Sequence, residues 1–350
     1  MRSIASNPEN IDAGAPAQPG RRVSVFALTA GAASLVLPRM ALAQKPGRSY
    51  RIAWLSTAST RSESYAIAFT QRLAERGFAE GRNLEIVFRN AGGRTEDMPA
   101  LAAAMLRLNC DLIFAPGNEA VLRAATQAAN EAASNIPIIV FTADYDPVAS
   151  GHIAQLRRPG GRITGVSMLQ SELPAKRIEV LTDLLPGLRR AAVLGDTWSS
   201  GQLAVTRAAA ARLGLTLVVH EFTVTPYNYA AAFAAFTHAK AEALLVLTSA
   251  FFVPARQLIL QLALQHRLPA VFNNAVWPEL GGLLSYGGNF SAGYRSAADL
   301  VVKVLNGANP GELPMEQSTI IEMVLNLKTA RALNLKIPEA IRLRADRVIE

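Results

Sequence analysis

Small polar residues gather directly after short apolar runs along this chain. Ser56, Thr57 and Ser59 follow a run at 51–56, Asn118 follows 111–116 across Gly117, and Thr142 and Asp144 close 137–142. Further on, Trp198 and Ser199 follow 191–195, Ser249 and Phe251 follow 243–247, and Asn274 and Trp277 follow 270–273. Tyr286 sits in a glycine-bracketed run at 281–288. Hydroxyls and free backbone amides at a helix start take a carboxylate or phosphate, although Ser and Thr there also serve as plain N-caps. Gly117 lets the backbone approach a guest, and the Asn118 amide both donates and accepts. Asp144 is placed to hold an ammonium group, whereas Asp146-Pro147 reads as a turn start. Trp198, Phe251, Trp277 and Tyr286 offer faces for an apolar or aromatic body, with ordinary packing as the competing reading. The Asn273-Asn274 pair needs partners if buried, from a guest or from hinge backbone.

These residue types hold a molecule rather than convert it. The first strand lacks the GxGxxG fingerprint, and no GxxxxGK[ST] loop or HExxH occurs. Gly165-Val166-Ser167 opens like a nucleophile elbow, but Leu169 stands where the second glycine belongs. His152, His220, His238 and His266 are too scattered for a metal site, so neither metal nor cofactor is expected. Lone Cys110 reads as a small buried hydrophobe. The 35 Lys and Arg against 27 Asp and Glu give a net charge of +8. These cations are dispersed and not interleaved with aromatics, which argues against a nucleic-acid partner.

The apolar runs are continuous rather than alternating, as in parallel strands buried on both faces, and amphipathic segments separate them. Strands are expected at 51–56, 84–89, 111–116 and 137–142, then again at 191–195, 216–222, 243–247 and 270–273. Tyr65, Phe69 and Leu73 stripe the helix at 62–76, with Gly77 as its left-handed cap. The next helix starts near Thr95, a candidate cap, with Glu96 and Asp97 suited to its dipole. The plan implies an α/β architecture of two doubly wound parallel-sheet domains whose strand ends face one cleft. The expected division gives 50–162 with 288–312 to a first lobe and 163–287 with 313–350 to a second.

Ahead of the fold, Arg21-Arg22 precede an uncharged apolar stretch at 23–37 and then Ala41-Leu42-Ala43. Positive flank, short apolar core and small-x-small end describe a secretory signal peptide over 1–43, cleaved after Ala43. The stretch falls short of the roughly 20 residues a membrane span needs. The paired arginines leave both the general secretory and the twin-arginine route open. With no cysteine at the cleavage point, the mature chain is expected unlipidated in the periplasm.

Separated motifs in one order carry a family resemblance. They are Glu80-Gly81-Arg82-Asn83-Leu84, Asp146-Pro147-Val148, Arg158-Pro159-Gly160-Gly161 with Ile163-Thr164-Gly165, the glycine-bracketed run ending Ser285-Tyr286-Gly287, Asn326-Leu327-Lys328-Thr329-Ala330, and the tail from Ile337-Pro338 through Glu350. In these the chain, over about 50–350, resembles the substrate-binding components of ABC transporters related to tryptophan- and tyrosine-binding components. The resemblance implies a type I periplasmic-binding-protein fold with a three-crossover hinge, no enzymatic activity, and a monomer delivering a small polar solute to an inner-membrane permease with its ATPase. An amino acid or aromatic carboxylate fits the residues best. The chain departs from the family at Gly117-Asn118-Glu119, Tyr145 and His152-Ile153. A sensor subunit for a membrane signalling protein and a secreted α/β enzyme are the rival readings; a DNA-binding regulator would need a helical module where the export segment stands.

Overall fold

The computed structural model describes residues 48–143, 145–168 and 173–350; the export segment, its cleavage point and Asp144 lie outside the described residues. The first part runs β1 (Tyr50–Ser56), α1 (Ser64–Glu75), β2 (Leu84–Asn90), α2 (Met98–Leu106), β3 (Leu112–Gly117), α3 (Glu119–Glu131), β4 (Ile138–Thr142) and β5 (Ile163–Met168). The second runs α4 (Leu173–Leu184), β6 (Arg190–Asp196), α5 (Ser200–Arg212), β7 (Thr216–Phe222), α6 (Tyr229–His238), β8 (Ala243–Val246), α7 (Arg256–Gln265), β9 (Ala270–Phe272), α8 (Val276–Glu279) and β10 (Leu284–Gly288). The chain closes with α9 (Phe290–Leu305), β11 (Glu316–Ser318), β12 (Ile321–Asn326), α10 (Leu327–Ala332), α11 (Glu339–Arg344) and β13 (Arg347–Ile349).

Two sheets result, ordered β11-β5-β4-β3-β1-β2 and β13-β12-β10-β9-β8-β6-β7. Every ladder is parallel except β10 with β12. Strands β4 and β8 are buried along their whole length, which is why their sequences are unbroken apolar runs. Helices cover both faces of each sheet, so each has two apolar clusters. Each sheet, with the helices packed on it, forms a lobe.

On one face of the first sheet, α1 lies against α9. Tyr65, Phe69 and Leu73 bury the α1 stripe there, and Phe69 stacks on Phe114 with ring centroids 4.3 Å apart. Gly77 takes φ 92° and ends α1, as its sequence position predicts. Thr95 does not cap: it begins a 3₁₀ turn at Thr95–Asp97, and α2 starts after it with Pro99 in its first turn.

The lobe boundary differs from the expectation. Strand β5, expected to open the second lobe at residue 163, pairs with β4 in the first sheet, and β11 pairs with β5 beyond it. The chain therefore leaves the first lobe after β5 and enters the second at α4, then crosses back at 288–290 and again at 318–321. The Arg158-Pro159-Gly160-Gly161 turn is a connection within one sheet, not a crossing. A glycine turn looks the same in sequence whether the next strand pairs locally or crosses over.

Register brings the strand ends level. Ser56 stands beside Asn90, Gly117 beside Thr142, and Thr142 beside Ser167, which makes a rim at the carboxyl edge of the first sheet. Gly287, near the end of β10 in the second sheet, passes the end of β9 so closely that a Cβ there would fall 1.8 Å from the Asn273 carbonyl oxygen. Only glycine fits where the hinge strand passes that carbonyl.

A cavity at the strand ends of both sheets

The carboxyl-edge segments of both sheets line one cavity of about 680 Å³ of empty space, its open mouth included. From the first lobe come Ser56, Thr57, Ser59, Asn118 and Phe141; from the second come Thr248, Ser249, Arg256, Asn274 and Trp277. Helix α9 adds Phe290 and Tyr294. Polar strand ends thus face aromatic rings across the same space.

Most of the hydroxyls are already oriented by the protein. Ser56 Oγ donates to the Ser59 carbonyl at 3.0 Å, and Thr57 Oγ1 donates to Asn118 Oδ1 at 3.1 Å. Asn118 is the N-cap residue of α3, but its side chain does not cap the helix. Ser59 Oγ accepts from the Tyr65 hydroxyl at 3.0 Å. The N-cap residue of α1 is Glu63, so capping does not explain the serine and threonine cluster that precedes it. Burial holds the Tyr65 phenol well above its ordinary pKa, and the Glu63 charge adds to that.

In the second lobe, Ser249 Oγ donates to Asp196 Oδ2 and accepts from the Phe251 amide at 3.1 Å. Asp196 is fully buried, and Tyr227 also donates to it, at 3.2 Å. Burial pushes the Asp196 carboxyl up; the hydrogen bonds from Ser249, Ser199 and Tyr227 pull the other way. Asn273 Oδ1 accepts from the Trp277 indole at 3.0 Å and from Asn274 at 3.3 Å, which supplies the partners the buried pair needs. Trp277 stacks on Phe272 at 4.5 Å.

Several residues expected at the site stand elsewhere. Thr142 is fully buried and donates to Ser167 Oγ at 3.2 Å, within the sheet. Ser199 closes a capping box with Asp196. Trp198 is 57% exposed and stacks on half-buried Phe251, 6.1 Å between centroids. Tyr286 gives its carbonyl to Arg177 Nε at 2.8 Å in the hinge. None of these five is part of the cavity lining. Each lies at a strand end or hinge, but its side chain points into a lobe or toward solvent. Asp146 makes the turn its sequence predicts, accepting from the Val148 and Ala149 amides at 2.8 and 3.2 Å.

The sequence reading missed Arg256, Glu63, Tyr65, Phe141, Phe290 and Tyr294. Arg256 of the second lobe is 6% exposed, and its Nη1 lies 3.1 Å from Oε2 of Glu63 in the first lobe. Burial disfavours the Arg256 charge, yet neighbouring Tyr65 and Glu63 outweigh it and hold its pKa above the ordinary value. Beside this pair the turn at Gly93 meets Pro254, and Val276 joins the apolar cluster of the first lobe. The lobes therefore touch around the cavity. Among the described residues no cluster of His, Cys, Asp and Glu could hold a metal ion, and no helix is long and apolar enough to cross a membrane.

Comparison with known proteins agrees with this geometry. Residues 63–349 match the model of the ABC transporter substrate binding protein family. A tyrosine-binding protein of Clostridioides difficile (strain R20291) is 26% identical over 271 residues, 77% of this chain and 76% of that protein. Among solved structures, the ABC domain in complex with L-Trp from Streptococcus pneumonia superposes with a TM-score of 0.72 at 24% identity, covering 86% of this chain and all of that one. The ligand-free, open structure of the substrate-binding protein CD0873 from Clostridium difficile superposes with a TM-score of 0.59 at 22% identity, covering 86% of this chain and 99% of that one. The chain belongs to the ABC transporter substrate binding protein family, a family of binding proteins rather than enzymes, and has the type I periplasmic-binding-protein fold.

Proposed function

We propose that the cavity between the lobes captures a small solute with an apolar or aromatic body and a polar end, an amino acid or aromatic carboxylate, for an ABC importer. One observation carries this reading: Tyr65, Phe141, Trp277, Phe290 and Tyr294 share the cavity with oriented hydroxyls and amides from both sheets. Ligand sites of this kind are mainly apolar, with a few placed polar groups that fix orientation. Ser56, Thr57, Ser59, Asn118, Ser249 and Asn274 supply the polar contacts, and Trp277 supplies a ring face. The tyrosine-binding relative and the L-Trp-bound structural neighbour favour the same ligand class.

Proteins of this family work outside the cytoplasmic membrane and serve ABC permeases. In our reading the chain is exported by the segment at 1–43, acts as a monomer, and hands its solute to a permease driven by a cytoplasmic ATPase. Calorimetric titration of the purified mature chain with the common amino acids and with aromatic acids tests the ligand class. Saturable binding of at least one of them is expected. Binding of sugars alone would retire the proposal, as would conversion of the bound molecule to a product.

A further inference from the structure

Arg256 opens α7, and its side chain is 7% exposed. It is the charged residue of the cavity wall among the described residues. Its guanidinium carbon lies 5.7 Å from the Trp277 ring centroid. Glu63 Oε2 lies 3.1 Å from Nη1 as an ion pair, without the alignment of a hydrogen bond, and Arg256 Nε is buried with no hydrogen-bond partner. Burying two charges costs more than their attraction returns unless the leftover donors are matched. Arginine presents its donors in a planar fork that fits a carboxylate. Four neighbouring hydroxyls already spend their protons within the protein and are left to accept from a guest: Ser56 donates to the Ser59 carbonyl, Thr57 to Asn118, Tyr65 to Ser59, and Ser249 to Asp196, whereas Thr248 Oγ1 is buried without a partner and carries no charge.

We propose that Arg256 anchors the carboxylate of the solute, and that a carboxylate is a requirement of tight binding. The inference rests on the cavity being the solute site. The free Nε donates to a carboxylate oxygen while Nη1 stays with Glu63, so one guanidinium ties the guest to the second lobe and the second lobe to the first. The ring faces of Trp277, Tyr65 and Tyr294 flank the body of the guest. The class selected is an aromatic or apolar monocarboxylate, free amino acids included, in preference to the corresponding amide or amine.

The test uses the full mature chain and calorimetric titration with L-tryptophan, L-tyrosine, phenylacetate and the carboxamide of each. Wild type binds at least one acid about tenfold or more tightly than its amide, as a charge-assisted bond requires. In Arg256→Gln that preference falls to about threefold or less, while Arg256→Lys, which keeps the charge but loses the fork, lies between. Glu63→Gln retains a preference for the acid, because the anchor remains. Thermal unfolding without ligand establishes that each variant is folded; if Arg256→Gln is not, the wild-type acid and amide pair together with Arg256→Lys still decides. Equal binding of acid and amide by wild type overturns the anchor and leaves the cavity as the solute site, and so does an undiminished preference in Arg256→Gln. Wild type binding none of the six compounds overturns the proposed ligand class, and the anchor falls with it.

Discussion

Replacing Gly93 by alanine separates what the turn needs for folding from what the lobes need for binding. Gly93 follows β2 at φ 89°, and its amide donates to the Thr57 carbonyl at 2.8 Å. An alanine Cβ would lie 3.0 Å from Cγ of Pro254 in the second lobe. Two costs follow. The left-handed backbone costs an alanine about 1–2 kcal/mol whether or not the lobes touch, so it lowers the unfolding temperature. The approach to Pro254 exists only when the lobes are together. Relieving it by a few tenths of an ångström costs about 1 kcal/mol, or roughly fivefold in Kd. Titration calorimetry with any solute the wild type binds reads the second cost, and a thermal melt reads the first. Pro254→Ala removes the ring atom, so the double variant recovers affinity without recovering melting temperature. Wild-type affinity in Gly93→Ala, or a double variant as weak as the single, would refute closure against this turn.

Other outcomes follow from contacts described above. Trp277→Phe keeps a ring on Phe272 but removes the donor to Asn273 Oδ1; a loss of about 1–2 kcal/mol in denaturant unfolding is expected, and unchanged stability would show that bond to be idle. Gly287→Ala drives a methyl into the Asn273 carbonyl and should lose at least about 3 kcal/mol; a melting temperature like that of wild type would refute the tight hinge passage. Because burial raises the Asp196 carboxyl above its ordinary pKa, its contribution to stability is fullest below the ordinary carboxylate range and is lost as pH rises through the folded value. The stability of wild type minus that of Asp196→Asn should therefore fall as pH rises above the ordinary carboxylate value of about 4; a difference that grows with pH would contradict the assignment.

Most of the fold was legible because buried parallel strands write themselves as unbroken apolar runs, and β1, β3, β4, β6 and β8 all do so. The crossing points were less legible: β5 is as apolar as a second-lobe strand would be, and only its pairing with β4 assigns it. At the cavity, reasoning from strand ends placed Ser56, Thr57, Ser59, Asn118, Ser249, Asn274 and Trp277 on its wall. The same reasoning could not tell which strand-end side chains turn inward, so Thr142, Trp198, Ser199, Phe251 and Tyr286 were expected there too. Tyr65 and Tyr294 read as members of helix stripes, which they also are, since both belong to the first lobe's apolar cluster. Arg256 reads as an ordinary charge near a helix start. Its partner Glu63 is nearly two hundred positions away, and nothing local in either segment announces the pair.

The order in which the segments join has a consequence for synthesis. The helix that seals one face of the first sheet is α9, and that sheet's last strand is β11, both drawn from the final fifth of the chain. A nascent chain that has just finished β5 still leaves Trp54, Tyr65 and Phe114 without Tyr294, the ring that lies 4.7 Å from Tyr65 and 5.6 Å from Phe114. Neither half can ripen ahead of the other on the ribosome, because each waits for residues made almost last. Contacts of such long sequence separation make for slow folding, so the first sheet's apolar face stays uncovered until the last segments of the chain are in place.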